Sequence, residues 1–367
     1  MEYNRFFVSI SIVLFIICFL CFYVLKNRKF EFNFLNIIGL ICVYIFSIFG
    51  FYDTDFFHYK QIFDENLVER KANLHLENIY LLLINFIDNS YILFRIIIWG
   101  GALSLFICTI KRLQLKLNTT IFFFICIFLI KFSYSRVALA ISMLFYGISF
   151  FVIPNRNKLF SYFLGMLLLI LSFFLHKSAV FGLAILVLSI LSIRLNKKIF
   201  LIFLLLFPIA IYLSNNYLYE YILNMFPEST DLLYVTTIQN YMHAAEKSYG
   251  VSGIILNTFQ YTTYYLIFLL CIITFIKKIK LPYSINIYLI SCFFIIFFST
   301  ICFFSKGVNT NTIAYRLMYF IMIPAPIFLS YYYNNGIYVR YIKITYCIGF
   351  FSIFFSLLYS FYISGIK

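Results

Sequence analysis

Apolar runs of 15 to 21 residues, separated by short charged or polar stretches, recur along the whole chain. Such runs predict membrane-crossing helices, since about 20 apolar residues match the hydrocarbon thickness of a bilayer. The pattern gives about twelve spans, near 6–25, 34–52, 91–110, 118–132, 137–153, 159–175, 178–193, 199–213, 256–276, 285–304, 317–333 and 344–363. The fourth, seventh and eighth are short for a full crossing. A further run, "IYLLLINFI" (79–87), is too short to cross alone and reads as a re-entrant or interface-lying helix. The expected fold class is an all-α polytopic membrane protein forming one integral membrane domain over 1–367, with two long extracytoplasmic loops at about 53–90 and 214–255.

Basic residues orient the spans, because Lys and Arg collect in cytoplasmic loops. With the N-terminus outside, the inner loops hold Lys26/Arg28/Lys29, Lys111/Arg112/Lys116, Arg156/Lys158, Arg194/Lys197/Lys198, Lys277/Lys278/Lys280 and Arg340/Lys343. These are 16 basic residues against one acid, Glu31, so the inner loops carry the whole formal charge of +15. The topology thus accounts for the basic balance, and no nucleic-acid partner is implied.

Composition agrees with this class. The 367 residues are 64% hydrophobic and 11% charged, whereas soluble domains carry roughly 25% charged residues. A signal peptide followed by a globular domain would leave most of the chain polar, and here the apolar runs continue. Most of the nine cysteines lie inside apolar runs. Cys18 and Cys21 form a lone C-x-x-C inside the first span, without the context of a redox or metal site, and read as small apolar filler. The cytoplasmic loops are too short to hold a domain, so any chemistry is expected on the outer face.

Several polar residues mark that face. "DTD" puts Asp53 and Asp55 just past the second span. Acids there either fix a helix end at the interface, or supply a general base or an acceptor for sugar hydroxyls. A D-x-D pair also suits a divalent metal with a nucleotide sugar, but nucleotide donors are cytoplasmic, so no metal and no cofactor are expected. Arg136 opens the fifth span in "SYSRVALAI". It either snorkels to headgroups or grips phosphate oxygens with its planar fork. His176 and Lys177 sit in the nearly lengthless outer hairpin "FFLHKSA", where an imidazole can shuttle a proton or bind phosphate. "AYRLMYF" supplies Arg316 and Tyr319 at an outer entrance, three apart and so on one helical face. Lys306 lies in the loop before them. Arg95, five residues into the third span, is balanced between structure and function.

Cations where a lipid headgroup lies point to an anionic lipid, with a diphosphate the natural fit. Carboxylates beside them point to a hydroxyl nucleophile awaiting deprotonation. Together they describe glycosyl transfer from a lipid-diphosphate-linked sugar.

Four stretches in order, "DTDFFHYKQIF", "SRVALAISMLF", "FFLHKSAVF" and "AYRLMYF", give a chain that resembles the EpsG-like branch of Wzy-type polysaccharide polymerases. The resemblance implies an enzyme of the bacterial cytoplasmic membrane that joins undecaprenyl-diphosphate-linked repeat units on its outer side. It also admits a chain-length regulator protein as partner. Carried over residue by residue, it assigns catalysis to Asp55 (or Asp53) and His176, and diphosphate binding to Arg136 and Arg316. Lys177 and Tyr319 are expected to assist there. The implied step is a metal-independent transfer of the growing glycan to a sugar hydroxyl of a new lipid-linked repeat. Asp55 or His176 would take the proton, and the arginines would stabilise the departing diphosphate.

Two other classes fit the residues in part. A lipid-linked oligosaccharide flippase or other transporter would place polar groups near mid-membrane, in broken helices and related halves. An O-antigen ligase or membrane acyltransferase would use a similar site with a different acceptor.

Overall fold

A computed structural model describes residues 5–31, 33–50, 63, 83–84, 86–87, 90–134, 137–176, 178–194, 206, 209, 251–304, 314 and 316–363. Among these the regular structure is helical: α1 Arg5–Leu25, α2 Phe34–Phe49, α3 Tyr91–Arg112, α4 Leu117–Ile127, α5 Leu129–Tyr134, α6 Ala138–Val152, α7 Lys158–Leu175, α8 Ala179–Arg194, α9 Val251–Ile276, α10 Tyr283–Phe304, α11 Pro324–Asn334 and α12 Val339–Ile363. Six are long and apolar enough to cross a membrane: α1, α3, α7, α9, α10 and α12. Shorter apolar helices are α2, α4, α6 and α8. Most of the expected eighth span at 199–213, most of the 79–87 run and the stretch 214–250 lie outside the described residues.

Local chemistry sets the helix ends. Asn33 caps α2 by accepting the Asn36 N–H at 3.0 Å, and Asn157 caps α7 by accepting the Phe160 N–H at 3.2 Å. Gly50 ends α2 in the left-handed conformation, φ 54°, and donates its N–H to Phe46 O at 3.1 Å. A side chain there would be strained.

Two expected spans are interrupted rather than continuous. The fourth divides into α4 and α5 at Phe128, whose φ of −123° leaves the helical range. The eleventh starts as a 3₁₀ turn, Met318–Met322, and becomes α11 only at Pro324. Pro324 and Pro326 lack the N–H that would bond back into the preceding turn, so the chain restarts with proline in the first α-helical turn.

The core forms around α4, all of whose residues from Leu117 to Ile127 are buried. It packs against α1, α3, α11 and α12. A second layer pairs α6 with α3 and α7, and α10 with α8, α9 and α11. Outward faces of α1 and α7 expose Phe6, Leu159 and Phe163, as expected of helices whose outer solvent is hydrocarbon.

Polar contacts define the two ends of the bundle. At one, Thr119 Oγ1 donates to Lys26 O, Asn118 Nδ2 donates to Arg28 O and Lys29 O, both at 3.4 Å, and Thr120 meets Ser330 at 2.9 Å. The Lys26 ammonium lies 3.6 Å from the Tyr23 ring centre and 5.0 Å from that of Phe122. Burial pushes its pKa below the ordinary lysine value. At this same Lys26 end, Arg112 closes α6 onto α7. It donates to Ser149 O at 3.2 Å, to Asn155 Oδ1 at 3.0 Å and to Ile153 O, and stacks 3.8 Å from the Phe150 ring centre. A cation on a helix's last carbonyls satisfies acceptors that have no partner within the helix and opposes its dipole.

Candidate functional site

The opposite end is built around Arg95. This residue is 3% exposed, in the first turns of α3, and among the described residues its guanidinium reaches acceptors on three segments. Nε donates to Ile48 O near the end of α2, Nη2 to Ser133 O near the end of α5 at 2.9 Å, and Nη1 to Tyr91 Oη at 3.0 Å. Its carbon centre lies 4.1 Å from the Trp99 ring centre, and Trp99 Nε1 donates to Phe132 O at 2.9 Å. A buried charge is costly unless fully engaged. Here it meets last-turn carbonyls of two helices, each the negative end of a dipole. Hydrogen bonds to charged groups contribute about 1.5–3 kcal/mol each. Tyr91, Arg95 and Trp99 follow one another at four-residue steps, which stacks them on one face. The π-helical turn Ile96–Gly100 begins directly after Arg95 and contains Trp99.

Phe63 joins this assembly, buried with its ring centre 4.9 Å from Tyr91 and 5.1 Å from Phe94. Gly50 is equally close, since a Cβ there would lie 3.0 Å from Arg95 Nη2.

His176 caps the C-terminal end of α7 in extended conformation, φ −156° and ψ 121°. Its Nδ1 accepts the Ser178 backbone N–H at 3.2 Å, and the Ser178 hydroxyl lies 2.6 Å from the same nitrogen. An amide N–H can only donate, so Nδ1 is the acceptor and the neutral ring carries its proton on Nε2. α7 begins beside Arg112, through Ser161. Eighteen residues of helix, at about 1.5 Å each, carry His176 toward the Arg95 end.

Arg316 precedes the 3₁₀ turn and is half-buried; Tyr319 lies within the turn, partly buried against the core. The entry is fixed by Ser299 Oγ, which donates to Ala314 O at 2.7 Å. The turn packs against both α10 and α5. It also meets α8 at Gly182, where a Cβ would lie 2.6 Å from Phe320 Cε1. Only a glycine permits that approach. Gly182 follows His176 by six residues and Phe320 follows Arg316 by four, so the contact joins the two motifs.

Among the expected site residues the structure therefore describes His176, Arg316 and Tyr319. Asp53, Asp55, Arg136 and Lys177 lie outside the described residues, as does Lys306. Arg95 holds the ends of α2 and α5. Two participants carry no mark in the sequence reading. Lys131, 1% exposed on α5, lies 4.8 Å from the Tyr264 ring centre, and Tyr264 stacks on Phe128 with centroids 6.2 Å apart. A lysine inside "FFFICIFLIKF" is itself a signal, since charges in such runs are expensive. Ser178, which fixes the imidazole, reads as an ordinary hairpin residue.

No curated protein and no solved structure matches the chain. A family model does match, that of the EpsG family, and it covers residues 33–366. That range takes in the Arg95 assembly, the His176 hairpin and the Arg316 turn together, and the chain belongs to the EpsG family.

Proposed function

We propose that this protein is a polysaccharide polymerase of the bacterial cytoplasmic membrane. It transfers a growing glycan from undecaprenyl diphosphate to a hydroxyl of a lipid-linked repeat unit on the outer side. The family supports the class. The observation that carries the site is the close approach of Gly182 to Phe320, which draws the His176 hairpin and the Arg316 turn together. In this reading the chain crosses twelve times, with the Lys26 end and its basic residues in the cytoplasm and the Arg95 end outside.

The acceptor hydroxyl oxygen bonds to the anomeric carbon as the bond from that carbon to the diphosphate oxygen breaks. The hydroxyl proton passes to a carboxylate, Asp55 or Asp53. The electron pair of the broken bond leaves on the diphosphate, where Arg136 and Arg316 meet the developing charge, with Lys177 and Tyr319 beside them. The arrangement at His176 favours the carboxylate as base: with Nδ1 engaged by Ser178, His176 presents an N–H at Nε2. It then serves as a hydrogen-bond donor to the diphosphate. The activated donor already contains its leaving group and the cations are side chains, so no metal enters the proposal.

The test is deletion of the gene followed by glycan analysis. A polymerase loss leaves single repeat units on the lipid or its final acceptor; unchanged long chains would overturn the reading.

A further inference from the structure

Arg95 does more than neutralise a buried site. Its acceptors among the described residues belong to separate pieces of chain: the end of α2, the end of α5 and its own α3. Trp99 repeats the link from α3 to α5 through Phe132 O. Phe63, which follows α2 in sequence, is seated on Tyr91 and Phe94. In sequence, Ile48 precedes Asp53 by five residues and Asp55 by seven, while Ser133 precedes Arg136 by three. The carbonyls that Arg95 holds therefore lie within a few residues in sequence of the acidic pair and of the outer arginine.

We propose that Arg95 is a positioning residue. Its guanidinium clasps the ends of α2 and α5 together, the helices that lead in sequence to the Asp53/Asp55 motif and to Arg136, and elongation depends on that clasp. This rests on the polymerase reading above. The group suits the task. A planar guanidinium donates in several directions at once to fixed carbonyls, whereas an ammonium is a single point of charge and cannot span Ile48 O, Ser133 O and Tyr91 Oη together. The clasp acts on geometry rather than on affinity, because the diphosphate would be held by other cations. A displacement of about 1 Å between reacting groups can cost on the order of 10²-fold in rate.

The protein supplies its own reporter, since Trp99 is the single tryptophan and lies against the Arg95 guanidinium. The experiment compares purified wild type with Arg95→Lys and Tyr91→Phe in lipid nanodiscs. It measures elongation of undecaprenyl-diphosphate-linked repeat units as kcat and KM, and Trp99 emission with and without added undecaprenyl diphosphate. Arg95→Lys is expected to lose about 100-fold in kcat with KM within about threefold of wild type, and to shift Trp99 emission before any lipid is added. Tyr91→Phe removes one acceptor only. It is expected to lower kcat by about three- to tenfold with an unchanged melting temperature, and it carries the test if Arg95→Lys does not accumulate. Wild-type kcat in Tyr91→Phe, or in an Arg95→Lys protein that folds, would overturn the clasp while leaving the polymerase reading intact. A loss expressed in KM alone would overturn it too, since that would make Arg95 a binding group. Absence of elongation by wild-type protein would instead sink the polymerase reading, and the clasp's role with it.

Discussion

Ser178 holds His176 by one nitrogen. Its backbone N–H lies 3.2 Å and its hydroxyl 2.6 Å from His176 Nδ1, so the proton of the neutral ring is on Nε2. A glutamine side chain places an N–H donor where Nε2 stands but has no basic nitrogen. His176→Gln should therefore retain elongation within about tenfold of wild type, and His176→Ala should lose about 10²–10³-fold. Equal loss in both variants, at equal protein levels, would return the role of base to His176.

Arg316 and Arg136 are expected to need the guanidinium rather than charge alone. A snorkelling cation tolerates lysine; a clamp on a diphosphate needs the planar fork. Arg316→Lys and Arg136→Lys should each shorten the polymer sharply, by a rate loss of about 10²–10³-fold, with normal accumulation on an immunoblot. Wild-type ladders from both variants would reduce these arginines to anchors.

Gly182 tests the contact that joins the His176 and Arg316 motifs. Its added Cβ would meet Phe320 at 2.6 Å, and Phe320 is buried. Gly182→Ala should cost about 1–3 kcal/mol of stability, the usual range for overpacking, read as a lower melting temperature together with reduced elongation. Phe320→Leu in the same chain should restore part of both. Gly349→Ala is the contrast: its Cβ would lie 2.8 Å from Cys126 O, a backbone atom of α4 outside the His176 and Arg316 motifs. It should lower the melting temperature while leaving the activity of the surviving protein unchanged.

Orientation has its own check. Single cysteines placed in 214–255 should react with a membrane-impermeant maleimide on intact cells, and cysteines replacing Lys277–Lys280 only after permeabilisation. The reverse pattern would put the proposed site in the cytoplasm.

Much of this was legible in one sequence because a bilayer imposes a simple rule. Runs of apolar residues ended by Lys, Arg or Asn gave helix limits within a few residues at α1, α3, α6, α7 and α8. Interruptions at Phe128 and before Pro324 were not read, the first because a single φ change leaves no compositional mark. The prolines did mark the second. Arg95 was visible as an odd charge, but its partners Ile48 and Ser133 are 47 and 38 residues away. No pattern along the chain names a carbonyl as a partner. The four-residue stripe of Tyr91, Arg95 and Trp99 was the available clue. Lys131 is a single charge in an otherwise apolar run, so the run's average hydropathy conceals it.

The central claim is polymerisation itself, and reconstitution tests it most directly. Purified protein in lipid nanodiscs, supplied only with undecaprenyl-diphosphate-linked repeat units, should produce a ladder of multi-repeat glycans. One undecaprenyl diphosphate should be released for each linkage made. Single repeats that remain single, with no lipid diphosphate released by a folded protein, would contradict the account.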